Sequence, residues 1–189
     1  MSKTVPSEGL SKKICLKLQP PTEEDSRSYQ QRITDSLREQ GVDAPMTIEV
    51  MGKLYPLCDL AGWEVTVSLA WDGMQWVIVD IEAGDARQAH YGYAADIGST
   101  TVAVRLINCE TGECLYEAGC YSRQISYGTD ILTRIFYCKD DAKKRRELQK
   151  ATIDTLLDDI KEIEEKTGIG PEQCIQMVIA GNTTMIHFL

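Results

Sequence analysis

The stretch YAADIGSTTVAV, residues 93–104, decides the fold of the second half of this 189-residue chain. Apolar residues on both sides of a glycine and small hydroxyl residues predict two antiparallel strands, Tyr91–Ile97 and Thr101–Ile107. A tight turn at Gly98–Thr100 would join them. The pattern therefore places the carboxylate of Asp96 at the end of a buried strand, directly before the turn.

That turn has the residue types that bind a nucleotide phosphate. Gly98 lets the backbone approach a ligand closely, and the turn N–H groups and the hydroxyls of Ser99, Thr100 and Thr101 are donors for an anion. Asp96 would hold Mg²⁺ through water, because Mg²⁺ keeps part of its hydration shell beside phosphates. The motif by itself leaves a second interpretation open, a plain hairpin turn with a capping aspartate.

The pattern after this hairpin becomes helical. A third strand, Cys114–Tyr121, completes a predicted antiparallel meander. A helix carrying Ile131–Phe136, capped by Thr129, should follow. The apolar spacing then predicts a long amphipathic helix from Ala142 to Lys166, which Gly168 ends.

The end of the sequence contains a second polar loop. A short buried strand, Gln176–Ala180, leads into GNTT, residues 181–184, and a new helix from Met185 onward. Asn and Thr before an apolar run are ordinary helix-capping residues. Little more than one turn of this helix is present, so we expect the chain to be a fragment of a longer protein.

The first half of the chain shows a different pattern of predicted strands and helices. Lys13–Leu18 alternates like an edge strand, and Arg27–Gln40 is typical of a helix closed by Gly41. A less regular region follows, for which we predict a short strand, Thr47–Met51, and a short helix or turn around Tyr55–Leu60.

A hairpin is the firmest feature of this half. Two β-rich runs, Trp63–Leu69 and Gln75–Ile81, flank Asp72-Gly73, which predicts a type I′ turn with positive φ at both central residues. The acidic and glycine-containing run after it suggests a boundary. The expected division is a linker at 1–28, an α+β domain at 29–86 with its hairpin at 63–82, and a second domain at 87–189.

The composition excludes several classes of function. The chain carries 20 basic and 29 acidic residues, a net charge of -9, so nucleic acid and anionic membranes are unfavourable partners. It has no apolar run long enough to span a bilayer and no signal peptide, which predicts a cytoplasmic protein. Seven cysteines without a C-x2-C step predict reduced thiols, mostly buried, rather than a metal site.

Three motifs carry a resemblance to a known family. YAADIGSTT (93–101), QISYGTDILTRI (124–135) and AGNTTMIH (180–187) resemble the reductive activators of corrinoid proteins. LKLQPPTEED (16–25) is similar to the linker entering that family's middle domain. The resemblance implies an α+β middle domain followed by the first, ribonuclease-H-like lobe of an ATPase domain of the actin, sugar-kinase and heat-shock superfamily.

The resemblance also implies a function. Family members use ATP and Mg²⁺ to help return inactive Co(II) corrinoid proteins of methyl transfer to Co(I), and tend to form homodimers. Dimerisation would here use the middle domain. The electron passes through a [2Fe–2S] cluster in an N-terminal domain that this chain does not contain.

The family's site can be carried over by position. Asp96 would be the catalytic, Mg²⁺-side carboxylate, and Gly98, Ser99, Thr100 and Thr101 the first phosphate loop. The same cleft would be lined from the next strand end by Gly181, Asn182, Thr183 and Thr184. Ser99 stands where the family often has Thr, a change that keeps the hydroxyl.

Two other functions stay open on sequence grounds. The chain could be a non-enzymatic module for dimerisation or partner docking, with a basic run, Lys143–Arg146, as a docking patch for an acidic partner. It could also belong to a small-molecule kinase of the same superfamily. One lobe supplies half of the contacts to ATP, so weak binding and negligible turnover are expected of this chain.

Overall fold

The computed structural model describes Pro6 and residues 9–189, and these residues form two compact units that divide between His90 and Tyr91. Each unit has its own sheet and its own apolar core. Within the described residues, no helix combines the length and apolar character needed to cross a membrane.

The first unit is a three-stranded antiparallel sheet with two helices. The strands are β1 (Ser11–Lys17), β2 (Glu64–Trp71) and β3 (Trp76–Ala83), in the order β1-β2-β3, so the predicted edge strand is confirmed. The helices are α1 (Tyr29–Glu39) and α2 (Ile48–Leu60). Helix α1 begins with a capping box at Ser28, and Gly41 follows it with φ of 78°, as expected for a residue after a helix end.

The predicted strand Thr47–Met51 is wrong. Thr47 is the N-cap of α2, and its hydroxyl accepts a hydrogen bond from the backbone N–H of Val50 at 3.4 Å. Val50, Leu54 and Cys58 are buried at a spacing of four residues, which is the helical signal in this stretch. The stretch resembles a strand because Ile48 and Val50 are apolar at a spacing of two residues, although Ile48 is exposed and only Val50 is buried.

The hairpin is confirmed, but its turn type differs from the prediction. Trp71 pairs with Trp76, so the connection is the four residues 72–75. Gly73 has φ of 95°, whereas Asp72 does not have a positive φ. The Asp72 carboxylate instead accepts hydrogen bonds from the backbone N–H groups of Met74 and Gln75 at 2.7 and 2.8 Å, which stabilises the longer loop.

The second unit has the architecture expected for half of an actin-like ATPase lobe: a meander, helices, then a parallel strand. Its strands are β4 (Tyr91–Ile97), β5 (Thr101–Asn108), β6 (Cys114–Tyr121) and β7 (Cys174–Gly181), in the order β6-β5-β4-β7. β4, β5 and β6 are antiparallel neighbours, and β7 is parallel to β4. The helices are α3 (Ile131–Cys138), α4 (Ala142–Thr167) and α5 (Thr183–His187).

Helix α4 covers one face of this sheet. Leu148, Leu156 and Ile163 are buried in the core, and Gly168 ends the helix with φ of 72°. Ile153 and Leu157, which also contribute to the apolar spacing from which this helix was predicted, are exposed. The cap of α3 is Asp130, one residue later than predicted, since its carboxylate accepts from the N–H of Thr133 at 2.9 Å.

Candidate functional site

Two polar loops leave the same end of neighbouring parallel strands. In the ladder between β4 and β7, Asp96 is opposite Ala180 and Ile97 is opposite Gly181. The carboxyl ends of parallel strands therefore meet here, which is where ligands bind in open α/β sheets. The register brings the first loop, 98–101, next to the second loop, 181–184.

The first loop is a tight turn with a fixed backbone. The N–H of Gly98 donates to the carbonyl oxygen of Thr101 at 2.9 Å, and the N–H of Ser122 donates to that of Thr100 at 2.8 Å. A Cβ atom on Gly98 would lie 2.6 Å from the Thr101 oxygen, so no side chain fits at this position. Gly98 is thus required by the close approach of the backbone across the turn.

The polar groups of the first loop are available to a ligand. Asp96 is exposed, and in the part of the chain that the structure describes its carboxylate makes no hydrogen bond or ion pair. The same holds for the hydroxyls of Ser99, Thr100 and Thr101 among the described residues. Asp96 interacts electrostatically with Arg105. The pKa of Arg105 is raised, mainly by its hydrogen bond to Glu117 and to a lesser extent by the charge of Asp96.

This donor set fits Mg²⁺ with a nucleotide phosphate. Mg²⁺ sites commonly use one or two carboxylates, waters and substrate phosphates rather than a complete cage of protein ligands. The described residues contain no group of three or more His, Cys, Asp and Glu side chains that could hold a metal ion. Asp96 is the carboxylate available for such a site, and the hydroxyls beside it are phosphate donors.

The second loop is held close to the first. A Cβ atom on Gly181 would lie 2.9 Å from the carbonyl oxygen of Ile97, so this glycine permits the contact between the strand ends. The side-chain oxygen of Asn182 accepts from the N–H of Met185 at 3.0 Å and caps α5. Thr183 is exposed and Thr184 half-buried. The capping role of Asn182 is confirmed, and a contact of this loop with a ligand stays a prediction.

A buried arginine that the sequence did not point to lies beneath the second loop. Arg134 of α3 is fully buried; its Nε donates to the carbonyl oxygen of Gly128 at 2.9 Å and one terminal nitrogen donates to the Gln124 side-chain oxygen at 3.2 Å. The same nitrogen lies 3.7 Å from the sulfur of Met185, the residue after the loop. Burial lowers the pKa of Arg134.

Gln124 links this arginine to α4. Its side-chain nitrogen donates to the carbonyl oxygen of Leu148 at 3.0 Å and to the hydroxyl of Thr152 at 2.7 Å. Both Gln124 and Arg134 lie in the motif quoted for the resemblance, which gave no role for either. Their contacts join α3, α4 and the first turn of α5.

Three cysteines on or beside β5 and β6 have different surroundings. Cys109 lies beside Gly92, Cys114 is exposed, and Cys120 lies beside the buried carboxylate of Asp159. Burial raises the pKa of Cys120 to about 12. All seven cysteines are free, and the prediction that most are buried is wrong, since burial is complete only for Cys58 and Cys138.

Comparison with known proteins gives two family models and two relatives. The model described as "RACo linker region" matches residues 3–88, and "RACo middle region" matches residues 91–189. The corrinoid activation enzyme RamQ of Eubacterium limosum is 31% identical over 111 residues, covering 58% of this chain and 19% of that protein. A solved structure, "Reductive activator for corrinoid,iron-sulfur protein", superimposes with a TM-score of 0.84 at 29% identity.

That superposition covers 100% of this chain and 30% of the solved chain. The present chain therefore spans less than a third of the length of either relative. The family models meet between residues 88 and 91, next to the structural division after His90.

Proposed function

Because the chain belongs to the RACo family of corrinoid activators, we propose that it is part of an ATP-dependent activator that returns Co(II) corrinoid protein to Co(I). The observation that carries this proposal is the pairing of Ile97 with Gly181, which brings two polar loops to one strand end. The unpaired carboxylate and hydroxyls of the first loop supply the chemistry that a magnesium nucleotide needs.

In this proposal each residue has a distinct role. Asp96 holds Mg²⁺ through water, Gly98 and the hydroxyls of 99–101 receive phosphate, and Gly181–Thr184 line the second side. Mg²⁺ would neutralise charge on the phosphates, so the contribution of the chain is positioning and hydrogen bonding. The proposed setting is the cytoplasm, and the electron for cobalt comes from a [2Fe–2S] cluster in another domain of the parent protein.

A calorimetric titration of Mg-ATP tests the nucleotide site. The chain should bind weakly, and Asp96→Asn should weaken binding about tenfold, the effect expected from losing one charged contact to a ligand. Glu113→Gln is the matched control, because it removes one exposed carboxylate from the β5–β6 turn, at the opposite end of β5 from the first loop. Its affinity should equal that of the unaltered chain.

Two results would count against the site. Equal affinities for the unaltered chain and Asp96→Asn would show that this carboxylate does not serve the nucleotide. No detectable heat from the unaltered chain, at protein concentrations suited to weak binding, would remove ATP binding from this chain. Its role would then be that of the docking or dimerisation module.

We also propose a homodimer through the proposed middle domain, 29–86, which lies within the residues that match the family's linker region. In this division the linker at 1–28 adds strand β1 to the sheet of that domain, and the ATPase lobe is 87–189. Helix α2 favours this, because Ile48, Met51 and Tyr55 are exposed on its outer side. Gly52 among them has no atom within 4 Å of its Cβ position, so a second helix could approach. Sedimentation equilibrium should show a dimer that Tyr55→Glu converts to a monomer; a monomer at all concentrations contradicts this.

A further inference from the structure

A cavity of the second unit lies between the start of α4 and the end of α5. Its volume is about 500 Å³, and its lining includes Arg145, Arg146, Gln149, His187, Phe188 and Leu189. We propose that this arginine cavity binds a small molecule that carries phosphate groups. It is a second anion site, and its occupation does not depend on nucleotide binding at the first loop.

The cations of the arginine cavity face no acidic side chain. Its lining contains no Asp or Glu, whereas the cavity between β1 and α1, which also contains arginines, is lined in addition by Asp35 and Glu39. Arg145 and Arg146 are exposed, and in the part of the chain that the structure describes neither guanidinium makes an ion pair or a hydrogen bond. The protein therefore leaves the positive charge of this cavity uncompensated.

The other arginines of the chain are engaged within the described structure. Arg134 donates hydrogen bonds in the core, and the remaining six form salt bridges: Arg27, Arg32, Arg38, Arg87, Arg105 and Arg123. Glu147, the acid nearest in sequence to the cavity arginines, instead accepts the hydroxyl hydrogen of Tyr137 at 2.6 Å. Two adjacent unpaired guanidinium groups in a chain of net charge -9 indicate that they bind an anion from solution.

Neither cavity arginine stabilises the helix that carries it. Both lie near the N-terminus of α4, where positive charge opposes the helix dipole and negative charge is favoured. Farther along the same helix the cations are paired, Lys150 with Asp154 at 2.7 Å and Lys161 with Glu165 at 3.7 Å. A bound anion would remove the unfavourable interaction at the N-terminus.

The donors suit phosphate better than carboxylate. The two arginines belong to α4 and His187 to the end of α5, so cationic groups border the cavity from two elements. A phosphate group presents three terminal oxygens and about two negative charges, whereas a carboxylate presents two oxygens and one charge. Guanidinium groups can bind phosphate oxygens in bidentate pairs.

The size and the remaining lining of the cavity suit a small organic molecule. Small-molecule sites range over about 300–1,000 Å³, and this cavity falls within that range. Buried Phe188 and half-buried Leu189 supply apolar surface. Gln149 donates to the main-chain oxygen of Leu189, which ties α4 to the residues after α5. The lining thus combines cations for phosphate with an apolar wall for the rest of the molecule.

Titration with pyrophosphate in magnesium-free buffer tests the cavity. The chain has two histidines, one in each unit, so the imidazole NMR signals of His187 report on the cavity and those of His90 are an internal reference. The His187 signals, assigned with His187→Gln, should shift to saturation while the His90 signals stay unchanged. Arg145→Gln with Arg146→Gln should weaken binding about tenfold or more, because two charged contacts are lost.

Lys139→Gln with Lys143→Gln is the matched control. It makes the same change in net charge near the start of α4, at two exposed side chains that do not line the cavity. Its affinity should stay within about twofold of the unaltered chain at about 0.15 M salt, where exposed charges are screened beyond about 8 Å. All four substituted positions are exposed, so the circular dichroism spectra of both variants should match that of the unaltered chain.

Three results would overturn the arginine cavity as a phosphate site. The first is His187 signals that do not move at millimolar pyrophosphate. The second is an arginine variant that binds normally, or a lysine control that loses as much affinity, since either would show that the lining does not hold the anion. The third is citrate binding as tightly as pyrophosphate, which would reject phosphate as the preferred group.

The outcome is separate from that of the nucleotide site. Each of the three results leaves the proposed function intact, because that proposal is tested by Asp96→Asn with Mg-ATP. A failure of Asp96→Asn to weaken Mg-ATP binding would in turn leave the pyrophosphate result at Arg145 and Arg146 unaffected.

Discussion

The two units of this chain bury charge in opposite ways. In the first unit the guanidinium of Arg32 is almost fully buried, but it donates to the Asp25 carboxylate at 2.7 Å and to the carbonyl oxygens of Gln19 and Asp25. In the second unit the hydrogen bonds of Arg134 go only to neutral acceptors. Each of the two guanidinium groups has one nitrogen without a hydrogen-bond partner, so the difference between them is the carboxylate.

The second unit also buries a carboxylate without a cation. Asp159 is 1% exposed, one of its oxygens has no hydrogen-bond partner, and burial raises its pKa. A charge that is compensated stabilises its fold, whereas a charge that is buried without compensation reduces stability. The two units should therefore respond oppositely to acid and to the removal of charge.

The largest change in stability is expected from removing the one side-chain oxygen that accepts a hydrogen bond from Arg134 in the second unit. Gln124→Leu removes the side-chain oxygen that accepts from Arg134, leaving the guanidinium with the Gly128 carbonyl and a sulfur contact. We expect a loss of about 3 kcal/mol in the free energy of unfolding, measured in urea by circular dichroism. Gln30→Leu, the same change at an exposed position of α1, should change it by less than about 0.5 kcal/mol. A variant as stable as the unaltered chain would show that the arginine is satisfied elsewhere.

Asp159→Asn should act in the opposite direction. The neutral amide avoids burying a charge, so the free energy of unfolding at neutral pH should rise by about 1–2 kcal/mol. Because the folded-state pKa is raised above 3.8, the charged carboxylate lowers stability progressively as pH rises above that value. The gain should vanish near pH 3. A gain that does not change with pH would mean that packing, rather than charge, explains it.

The smallest change in stability is expected for the ion pair of Arg32 with Asp25 in the first unit. Hydrogen bonds from Arg27 and then Arg32 hold the pKa of Asp25 well below its ordinary value of 3.8. Its contribution is present above that value and is lost as pH falls further below it. Asp25→Asn should therefore reduce the dependence of stability on pH in the acid range. Tryptophan fluorescence can follow this unit, since Trp63, Trp71 and Trp76 all lie in it.

Much of the fold followed from local sequence patterns. The meander, both hairpins, α1 and α4 were predictable because strand alternation, helical spacing and the glycines at 41 and 168 act over a few residues. Thr47–Met51 was not, because an alternating apolar run satisfies a strand pattern while Thr47 can equally cap a helix. Only the packing of Val50 and Leu54 in the core decides between them.

The two loops of the candidate site were predictable from the sequence, but the buried charged residues elsewhere in the second unit were not. Asp96 and Gly98 can be assigned from the sequence because strand, acid and glycine occur in one short stretch. The burial of Arg134 and Asp159 has no local sequence signal, since charged residues on amphipathic helices are ordinarily exposed. Their environments depend on contacts between α3, α4 and β6, which are distant from one another in the sequence.

The parallel pairing of β4 with β7 has a consequence for the order of folding. The first loop belongs to a hairpin whose two strands are adjacent in the sequence, so it can form early and locally. The second loop reaches it only after the chain has passed through β6, α3 and α4. During synthesis on the ribosome the two loops of the site would therefore form at different times. The pairing of β7 with β4, which joins strands far apart in the sequence, would form last.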